Sequence, residues 1–468
     1  MMKENKHNYL HLLLLAIVGC FVFSACSDDD FTGNNDNPSS QDAAQDTAAI
    51  DTSKIKVIAG DSICLTASQL ADSLYGPAGS NSGDSTNAAR RELFMKNVQA
   101  AEDSLERVNG ANGIAISFVI QEFQYESKDE YGNPIWLSGK AVWGKYWFGG
   151  WHYANPENLY LYEHYTILTD AECPSKSSFK MELISVGPNV LTILPDYIGY
   201  GKTRNKVHPY LNHEVCAINS IDAMEAGYKL FMQCTDKNTK MKDNWKMYVL
   251  GCSQGGGNAL AVHKYLDTHL DMANKWHFAY SYCSSGPYSP RKTMDYYYDS
   301  GKLTYPVVIP LVIKSMMHSY PEIMSKYNEE DFYSEKYLKV KDKIDDLLAK
   351  KETKSVDMIK KMKELLGVNE KETITTKDIL SEKALDTNSD ITQALYKCLD
   401  KNDLTTGWTP IHKIELYHSK EDDIVPYTNA EAVVNAFGTD KVKMYRCYNA
   451  GHVTTCSRWL GSLFFNRW

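Results

Sequence analysis

Ser253 is the residue in this sequence most clearly arranged for nucleophilic chemistry. It lies in Gly251-Cys252-Ser253-Gln254-Gly255, which follows an apolar run and precedes a stretch with apolar residues at helical spacing. A serine between a strand and a helix, with glycines two positions away on either side, is typical of the sharp turn called a nucleophile elbow. The helix would bring its positive end and the Gln254 backbone N–H beside a developing oxyanion. The pattern predicts an activated serine, with a glycine-rich loop as the alternative.

His452 is the predicted general base for that serine. A serine hydroxyl is a poor nucleophile unless a base takes its proton, and a buried acid must hold the base in the right tautomer. Among the 13 histidines, His452 follows a late predicted strand and precedes a terminal helix. His412 and His418 lie on or beside the preceding strand and fit this role less well. The alternative for His452 is a structural loop histidine.

Asp422 is the predicted acid. Three neighbouring acids, Glu421, Asp422 and Asp423, follow the predicted strand that precedes the His452 loop. Neighbouring side chains in an extended turn point apart, so only one of the three can meet the imidazole. The spacing Asp-x-x-Val-Pro selects Asp422. The other two acids are expected to form a solvated charge run.

Short apolar runs alternating with helical stretches must position these residues. Strands are predicted at 159–162, 190–194, 245–250, 277–283, 414–417 and 442–447, with helices at 213–233, 256–269 and 429–437. A two-residue period from Ile114, a turn at 131–134 and a second run at 135–143 predict a hairpin at an antiparallel edge. The pattern predicts an α/β fold with a mainly parallel central sheet and helices on both faces, with functional groups at the carboxyl ends of the strands.

Two regions interrupt this alternation. Residues 51–113 are expected to be helical with loops, with helices beginning near Ser62 and Ala88. Residues 287–407 contain no convincing strand, and helical patterns at 337–348 and 356–366 predict a large helical cap inserted over the strand ends. The sheet core is therefore expected to comprise 114–286 and 408–468. Segments 296–298 and 306–313 are expected either to line a pocket or lid hinge or to fill the core of the cap.

The amino-terminal residues have the pattern of an export signal. An apolar core at 10–23 is too short for a comfortable membrane span, and Val22-Phe23-Ser24-Ala25-Cys26 resembles the lipobox of bacterial lipoproteins. The resemblance predicts a signal peptide over 1–25 and lipidation of Cys26. Cleavage before Cys20, or an ordinary signal peptide, are weaker alternatives.

The residues after Cys26 predict where the protein resides. The acidic run at 28–30 resembles the export signal of surface lipoproteins in Bacteroidota, so an outer-membrane lipoprotein facing outward is expected, with a periplasmic orientation as the alternative. Residues 26–50 are polar and are expected to form a disordered tether.

The net charge and the spacing of the cysteines indicate which partners and metals are not expected. The formal net charge of -9 and the lack of a basic cluster argue against nucleic acid as a partner. No Cys/His cluster has zinc spacing, so no metal is expected, and no other cofactor is predicted. Of the 11 cysteines, nine remain after Cys20 and Cys26, an odd number. A disulfide between Cys447 and Cys456 is a hypothesis only, and the sequence does not predict an oligomeric state.

The chain order Ser253, Asp422, His452 resembles that of the α/β-hydrolases, closest to their secretory lipase and esterase branch. Further matching segments are 121–125, 132–134, 138–139, 195–201, 208–211 and 285–288. The resemblance implies a second oxyanion N–H in the loop after the third strand. That loop lacks the usual His-Gly pair, and Tyr165 or Thr166 is the expected donor beside Gln254.

The resemblance also implies a reaction. A Ser-Asp-His triad of this order is expected to cleave carboxylic esters of a small molecule or a polymer through an acyl-enzyme. A serine peptidase of prolyl-oligopeptidase type shares the order, but blade repeats of roughly 40 to 50 residues are absent. An acyltransferase remains an alternative, and so does a non-catalytic surface lipoprotein that binds ligands on a hydrolase scaffold.

Overall fold

A computed structural model describes residues 50–78, 85–110, 112–176 and 189–465 of the chain. The predicted signal peptide, Cys26 and all of the predicted tether except Ile50 lie outside these residues. Across the described ranges, no helix is both long enough and apolar enough to span a bilayer.

A ten-stranded mixed sheet forms the centre of the fold. Its strands are β1 (Val57–Thr66), β2 (Ala115–Lys128), β3 (Pro134–Trp147), β4 (Trp151–Tyr153), β5 (Asn158–Glu163), β6 (Val190–Pro195), β7 (Lys246–Cys252), β8 (Phe278–Ser284), β11 (Lys413–Ser419) and β12 (Val442–Cys447). Two further strands, β9 (Lys302–Leu303) and β10 (Ile374–Thr375), form a separate antiparallel ribbon.

The strand order is β1-β2-β3-β6-β5-β7-β8-β11-β12, with β4 paired to β3. The six strands from β6 to β12 in this order are mutually parallel. The first three strands pair antiparallel, and β3 joins β6 antiparallel. The predicted, mainly parallel sheet is thus confirmed, and β7 lies at its centre between β5 and β8.

The helices are distributed between the two faces of the sheet and one large insertion. They are α1 (Ala67–Tyr75), α2 (Ser85–Asn109), α3 (His213–Cys234), α4 (Gln254–Thr268), α5 (Leu270–Lys275), α6 (Pro290–Ser300), α7 (Val308–Ser319), α8 (Pro321–Met324), α9 (Glu335–Leu338), α10 (Lys341–Lys350), α11 (Ser355–Leu366), α12 (Thr376–Ile379), α13 (Glu382–Leu385), α14 (Asp390–Lys401), α15 (Thr428–Phe437) and α16 (His452–Phe465).

Each face of the sheet buries its own apolar core. On one face, Leu260 of α4 and Val433 of α15 belong to a large cluster that also includes residues of α3 and α5. On the other face, Phe94 of α2 and Trp459 of α16 pack with Leu70 of α1. Helices therefore cover both faces, as the alternating pattern predicts.

The region before β2 differs from its prediction. The hairpin of β2 and β3 is confirmed, but it is not the edge of the sheet, because β1 pairs antiparallel with β2. The helix predicted from Ser62 is wrong, since residues 57–66 form that strand. The helix starts one turn later because the Thr66 hydroxyl accepts from the Gln69 N–H while the Gln69 side chain accepts from the Thr66 N–H.

Between β8 and β11 the chain forms a helical insertion with its own apolar core. Segment 306–313 fills this core, since Val307, Ile309 and Ile313 are fully buried. The helix predicted across 337–348 is two short helices, α9 and α10. Helix α11 ends at Leu366, as predicted, and the following Gly367 is in the left-handed region at φ 63°. Leu168 and Tyr210, from the loops after β5 and β6, join the core of the insertion. The insertion thus packs over the carboxyl ends of the parallel strands.

A buried polar network fastens the far end of α4 to the start of β11. The Asp267 carboxylate accepts from His263 Nε2 at 3.0 Å, from His412 Nδ1 at 2.5 Å and from the Ile411 N–H at 2.6 Å. His263 Nδ1 also contacts the Ser281 hydroxyl at 2.7 Å. Burial alone would raise the pKa of Asp267, but these donors outweigh it and hold that pKa well below its usual range.

We expect Asp267→Asn to lower the free energy of unfolding by about 2–3 kcal/mol, because it removes the carboxylate while its buried donors remain. Asp271→Asn, on the exposed face of α5, is the matched control, with an expected change within about 0.5 kcal/mol. Urea denaturation followed by circular dichroism measures both. Equal stability of the two variants would contradict a structural role for the network.

Candidate active site

Ser253 lies on a strained turn between β7 and α4. Its backbone is at φ 58° and ψ −126°, a conformation that residues other than glycine rarely adopt. A Cβ on Gly251 would lie 2.1 Å from the Gly255 carbonyl oxygen, and a Cβ on Gly255 would lie 2.1 Å from that of Glu163. Both positions therefore require glycine, and the predicted elbow geometry is present.

The structure brings the three predicted triad side chains together. His452 Nε2 lies 2.8 Å from Ser253 Oγ, and His452 Nδ1 lies 2.9 Å from Asp422 Oδ2 and 3.0 Å from Oδ1. His452 begins α16, and Asp422 lies in the loop after β11. Because Nδ1 faces a carboxylate, its proton is on that nitrogen, and Nε2 is free to accept the serine proton.

The neighbouring acids are not merely a solvated charge run. Asp423 Oδ1 accepts the backbone N–H of His452 at 3.1 Å. Glu421 accepts the Ser419 hydroxyl at 2.6 Å. Asp422 therefore holds the ring of the histidine, while Asp423 holds its backbone at the start of α16.

Burial and neighbouring charges shift the pKa values of His452 and Asp422 in opposite directions. Burial lowers the pKa of His452, but the Asp422 carboxylate, with Cys456 and Asp423, outweighs burial and raises that pKa above 6.5. Burial likewise raises the pKa of Asp422, and its contacts with His452 and His418 bring that pKa well below 3.8. The pair thus favours an imidazolium beside a carboxylate, the charge state that forms when a serine gives up its proton.

Gln254, directly after the nucleophile, is held by a histidine that was not predicted to have a role. Its side-chain Nε2 lies 2.7 Å from His208 Nε2, and His208 Nδ1 lies 2.7 Å from the Ile198 carbonyl oxygen. A carbonyl can only accept, so the proton of His208 is on Nδ1, and Nε2 accepts from Gln254. Burial lowers the pKa of His208 to about 3, which keeps the ring neutral. Segment 208–211 is part of the family resemblance, but only the folded chain shows this contact.

The loop after β5 lies against the elbow. A Cβ on Gly255 would come 2.7 Å from the His164 carbonyl oxygen, which also accepts the Tyr197 hydroxyl at 3.2 Å. The Thr166 hydroxyl contacts the Tyr210 hydroxyl at 3.0 Å. This loop, which contains the predicted donors Tyr165 and Thr166, therefore begins against Gly255, the residue after Gln254 at the start of α4.

The turn after β6 is a packing element built on Asp196. This buried carboxylate accepts from the Ser138 hydroxyl at 2.6 Å, the Ser175 hydroxyl at 2.5 Å and the Ser175 N–H at 2.8 Å. A Cβ on Gly201 would lie 2.3 Å from Asp196 Oδ2. Glycine at 201 thus lets the chain pass close to the carboxylate.

All nine cysteines in the described ranges are free thiols, Cys447 and Cys456 among them. The hypothesis that a disulfide joins these two is therefore wrong in this structure. Cys456 instead contacts Cys252, which raises its pKa. Over the same ranges, no group of three or more His, Cys, Asp or Glu side chains could hold a metal ion.

Sequence comparisons give no relatives: no protein-family model matches the chain, and no curated protein matches it significantly. Solved structures do match. The rice cell wall degrading esterase LipA from Xanthomonas oryzae has a TM-score of 0.60 at 20% identity, covering 78% of this chain and 94% of that chain. A protein from Legionella pneumophila that is described as a hydrolase by assignment only has a TM-score of 0.60 at 19% identity, covering 78% of this chain and 93% of that chain. The chain has the α/β-hydrolase fold.

The α/β-hydrolase fold explains how residues far apart in sequence meet. Ser253, Asp422 and His452 follow β7, β11 and β12, whose carboxyl ends lie at the same edge of the sheet. Strand pairing fixes these ends relative to one another. The sheet therefore determines the spacing of the three side chains, and the loops determine their orientation.

Proposed function

We propose that the protein is a serine hydrolase that cleaves carboxylic esters through an acyl-enzyme. The observation that carries the proposal is the continuous hydrogen-bond chain from Ser253 Oγ through His452 to Asp422 on a strained elbow turn. The structural neighbour described as an esterase adds support from outside the chain.

The proposed reaction uses the site's own groups. His452 takes the Ser253 proton as Oγ attacks the ester carbonyl, and Asp422 stabilises the imidazolium. His452 then protonates the leaving alcohol, which departs and leaves the acyl group on Ser253. His452 next activates water, which attacks the acyl-enzyme and releases the acid.

The oxyanion is expected to be stabilised by two backbone N–H groups. One belongs to Gln254 at the start of α4, where the helix dipole also favours negative charge. The other belongs to Tyr165 or Thr166 in the loop that lies against Gly255.

Proline substitution identifies the second donor, because proline lacks the N–H. We expect proline at the donor position, Tyr165 or Thr166, to lower kcat by about 100-fold or more. Proline at the other position should lower it much less. Thermal unfolding of both variants controls for misfolding. Equal kcat for two folded variants would show that the donor lies elsewhere.

The helical insertion is expected to shape the substrate pocket, since it contacts the loop that carries the acid. The Tyr297 hydroxyl of α6 donates to the Ile424 carbonyl oxygen at 2.8 Å. Burial, together with the charges of the nearby Asp423 and Asp422, raises the pKa of Tyr296. Aromatic groups beside the triad suit the acyl chain or aromatic acid of an ester, carried by a small molecule or a polymer.

Turnover of the domain without residues 1–50 tests the function. The substrates are p-nitrophenyl esters of graded chain length, acetylated xylan, a feruloyl ester and a proline amide, and a serine-directed fluorophosphonate labels the nucleophile. Ester cleavage with labelling supports the proposal. Preference for the amide would favour a peptidase. An ester or amide product that forms only with an added alcohol or amine acceptor, respectively, would favour an acyltransferase. The absence of both turnover and labelling would favour a binding protein.

We further propose that the protein is an outer-membrane lipoprotein anchored at Cys26 and exposed on the cell surface. The lipobox-like segment before Cys26 and the acidic run after it support this proposal. Growth with a clickable palmitate analogue, followed by membrane fractionation and protease treatment of whole cells, tests it. Absence of label would overturn the lipid anchor. Protection of a labelled protein from the protease would overturn the outward orientation.

A further inference from the structure

The triad acid has a second histidine on its other side. Asp422 Oδ1 accepts the backbone N–H groups of Ile424 at 3.1 Å and Val425 at 2.9 Å. Asp422 Oδ2 lies 2.9 Å from His452 Nδ1 and 3.3 Å from His418 Nε2. The carboxylate is thus enclosed between two imidazoles, only one of which reaches the nucleophile.

The contacts of His418 locate the proton on its Nε2. Its Nε2 lies 2.9 Å from the Val425 carbonyl oxygen, an acceptor without a proton, so the proton is on Nε2. Its Nδ1 is buried and has no hydrogen-bond partner within the described part of the chain. The side chain is completely buried, with the ring edge-on to Tyr427 at 5.7 Å. His418 therefore directs its Nε2–H toward the Val425 carbonyl oxygen and Asp422 Oδ2.

Hydrogen bonds among His418, Val425 and Asp422 form a closed network around the acid. Val425 donates its N–H to Asp422 and accepts the His418 N–H at its own carbonyl. His418 belongs to β11, which is paired on both sides by β8 and β12, whereas Asp422 is in a loop. The side chain of His418, on a strand that is paired on both sides, therefore holds Asp422. The orientation of the Asp422 carboxylate determines the orientation of the His452 ring.

We propose that His418 is a positioning residue for the acid of the triad, holding turn 422–425 and the Asp422 carboxylate in the orientation that His452 requires. The proposal rests on the proposed serine esterase function and adds a residue to it. The role requires one N–H donor at the position of Nε2.

That requirement defines a matched pair of variants. Glutamine places a side-chain N–H near the position of Nε2, and methionine has similar length and volume without a donor. We expect His418→Met to lower kcat/KM by about tenfold, because the Val425 carbonyl and Asp422 Oδ2 lose a donor. We expect His418→Gln to retain most of the wild-type kcat/KM.

The pH profile separates positioning from general destabilisation. With the N–H removed, Asp422 is no longer held in the orientation that His452 requires and stabilises the imidazolium less, so the acid limb of kcat/KM should move to lower pH by about half a unit in His418→Met. The other titratable groups that face the Asp422 and His452 pair are unchanged in both variants: Asp423, Cys456, Tyr296 and Tyr297.

The experiment compares wild type, both variants and Ser253→Ala on one p-nitrophenyl ester across pH, with thermal unfolding of each. An acid limb that moves to lower pH in His418→Met alone, with activity retained in His418→Gln, supports the proposal. An acid limb that does not move to lower pH, or equal losses of activity in both variants, overturns it while wild-type turnover stands. Wild-type turnover that survives in Ser253→Ala would overturn the proposed function instead.

Discussion

Ser253→Ala is expected to lower ester turnover by at least about 10⁴-fold while leaving the fold intact. The side chain provides the only proposed nucleophile, and its Oγ is the atom 2.8 Å from His452 Nε2. Alanine keeps a Cβ at this strained position and removes only the hydroxyl. Single-turnover and steady-state assays on p-nitrophenyl esters measure the loss, and fluorophosphonate labelling should disappear with it.

Ser284→Ala is the matched control for that substitution. Ser284 is a buried serine at the end of the adjacent strand β8, and its carbonyl accepts the Ser253 N–H at 2.9 Å. Alanine preserves this backbone contact, so turnover should stay near that of wild type. If purified Ser253→Ala kept its turnover, the nucleophile would have to be another residue.

Asp422→Asn is expected to have the second largest effect, a fall in kcat of about 10³-fold or more near neutral pH. An amide cannot compensate the charge of the imidazolium, and its NH₂ group can face Nδ1 and favour the wrong tautomer. Both carboxylate oxygens lie within 3.0 Å of His452 Nδ1 in the structure. The effect should therefore appear in kcat more than in KM.

The same substitution should also move the pH profile. Asp422 raises the pKa of His452 above 6.5, and His452 must be neutral to act as a base. Wild-type kcat/KM should therefore rise with pH through an apparent pKa above 6.5, and Asp422→Asn should move this limb to lower pH. Glu421→Gln, at an exposed neighbouring acid, should leave the limb in place. A limb that is the same in wild type and Asp422→Asn would show that the two side chains do not interact as the structure indicates.

The sequence predicts the residues of the triad more clearly than the contacts that hold these residues in place. Glycine at 251 and 255, together with the order of serine, acid and histidine, was sufficient to predict how Ser253, Asp422 and His452 meet. These signals are local, because each depends on a few neighbouring residues and the strand before them. The parallel sheet could be predicted for the same reason.

Contacts between distant segments could not be predicted in this way. The contact of His208 with Gln254 joins residues 46 positions apart, and no spacing in the sequence identifies it. Strand β1 was missed because its residues are mostly exposed and its partner, β2, begins about 50 residues later. His418 was considered only as a base, although its surroundings in the folded chain suit a donor to the acid.

The Asp267 network has a consequence for the active site as well as for stability. Helix α4 starts beside the nucleophile and ends at this network, which also holds the residues just before β11, the strand that leads to Asp422. The 15 residues of α4 span about 22 Å at the rise of an α-helix. A rotation of about 3° about the Asp267 end would therefore displace Ser253 by roughly 1 Å, a misplacement that can cost about 100-fold in rate. The network thus fixes the angle between the two elements that carry nucleophile and acid, and loosening it should slow the reaction at a site about 20 Å away.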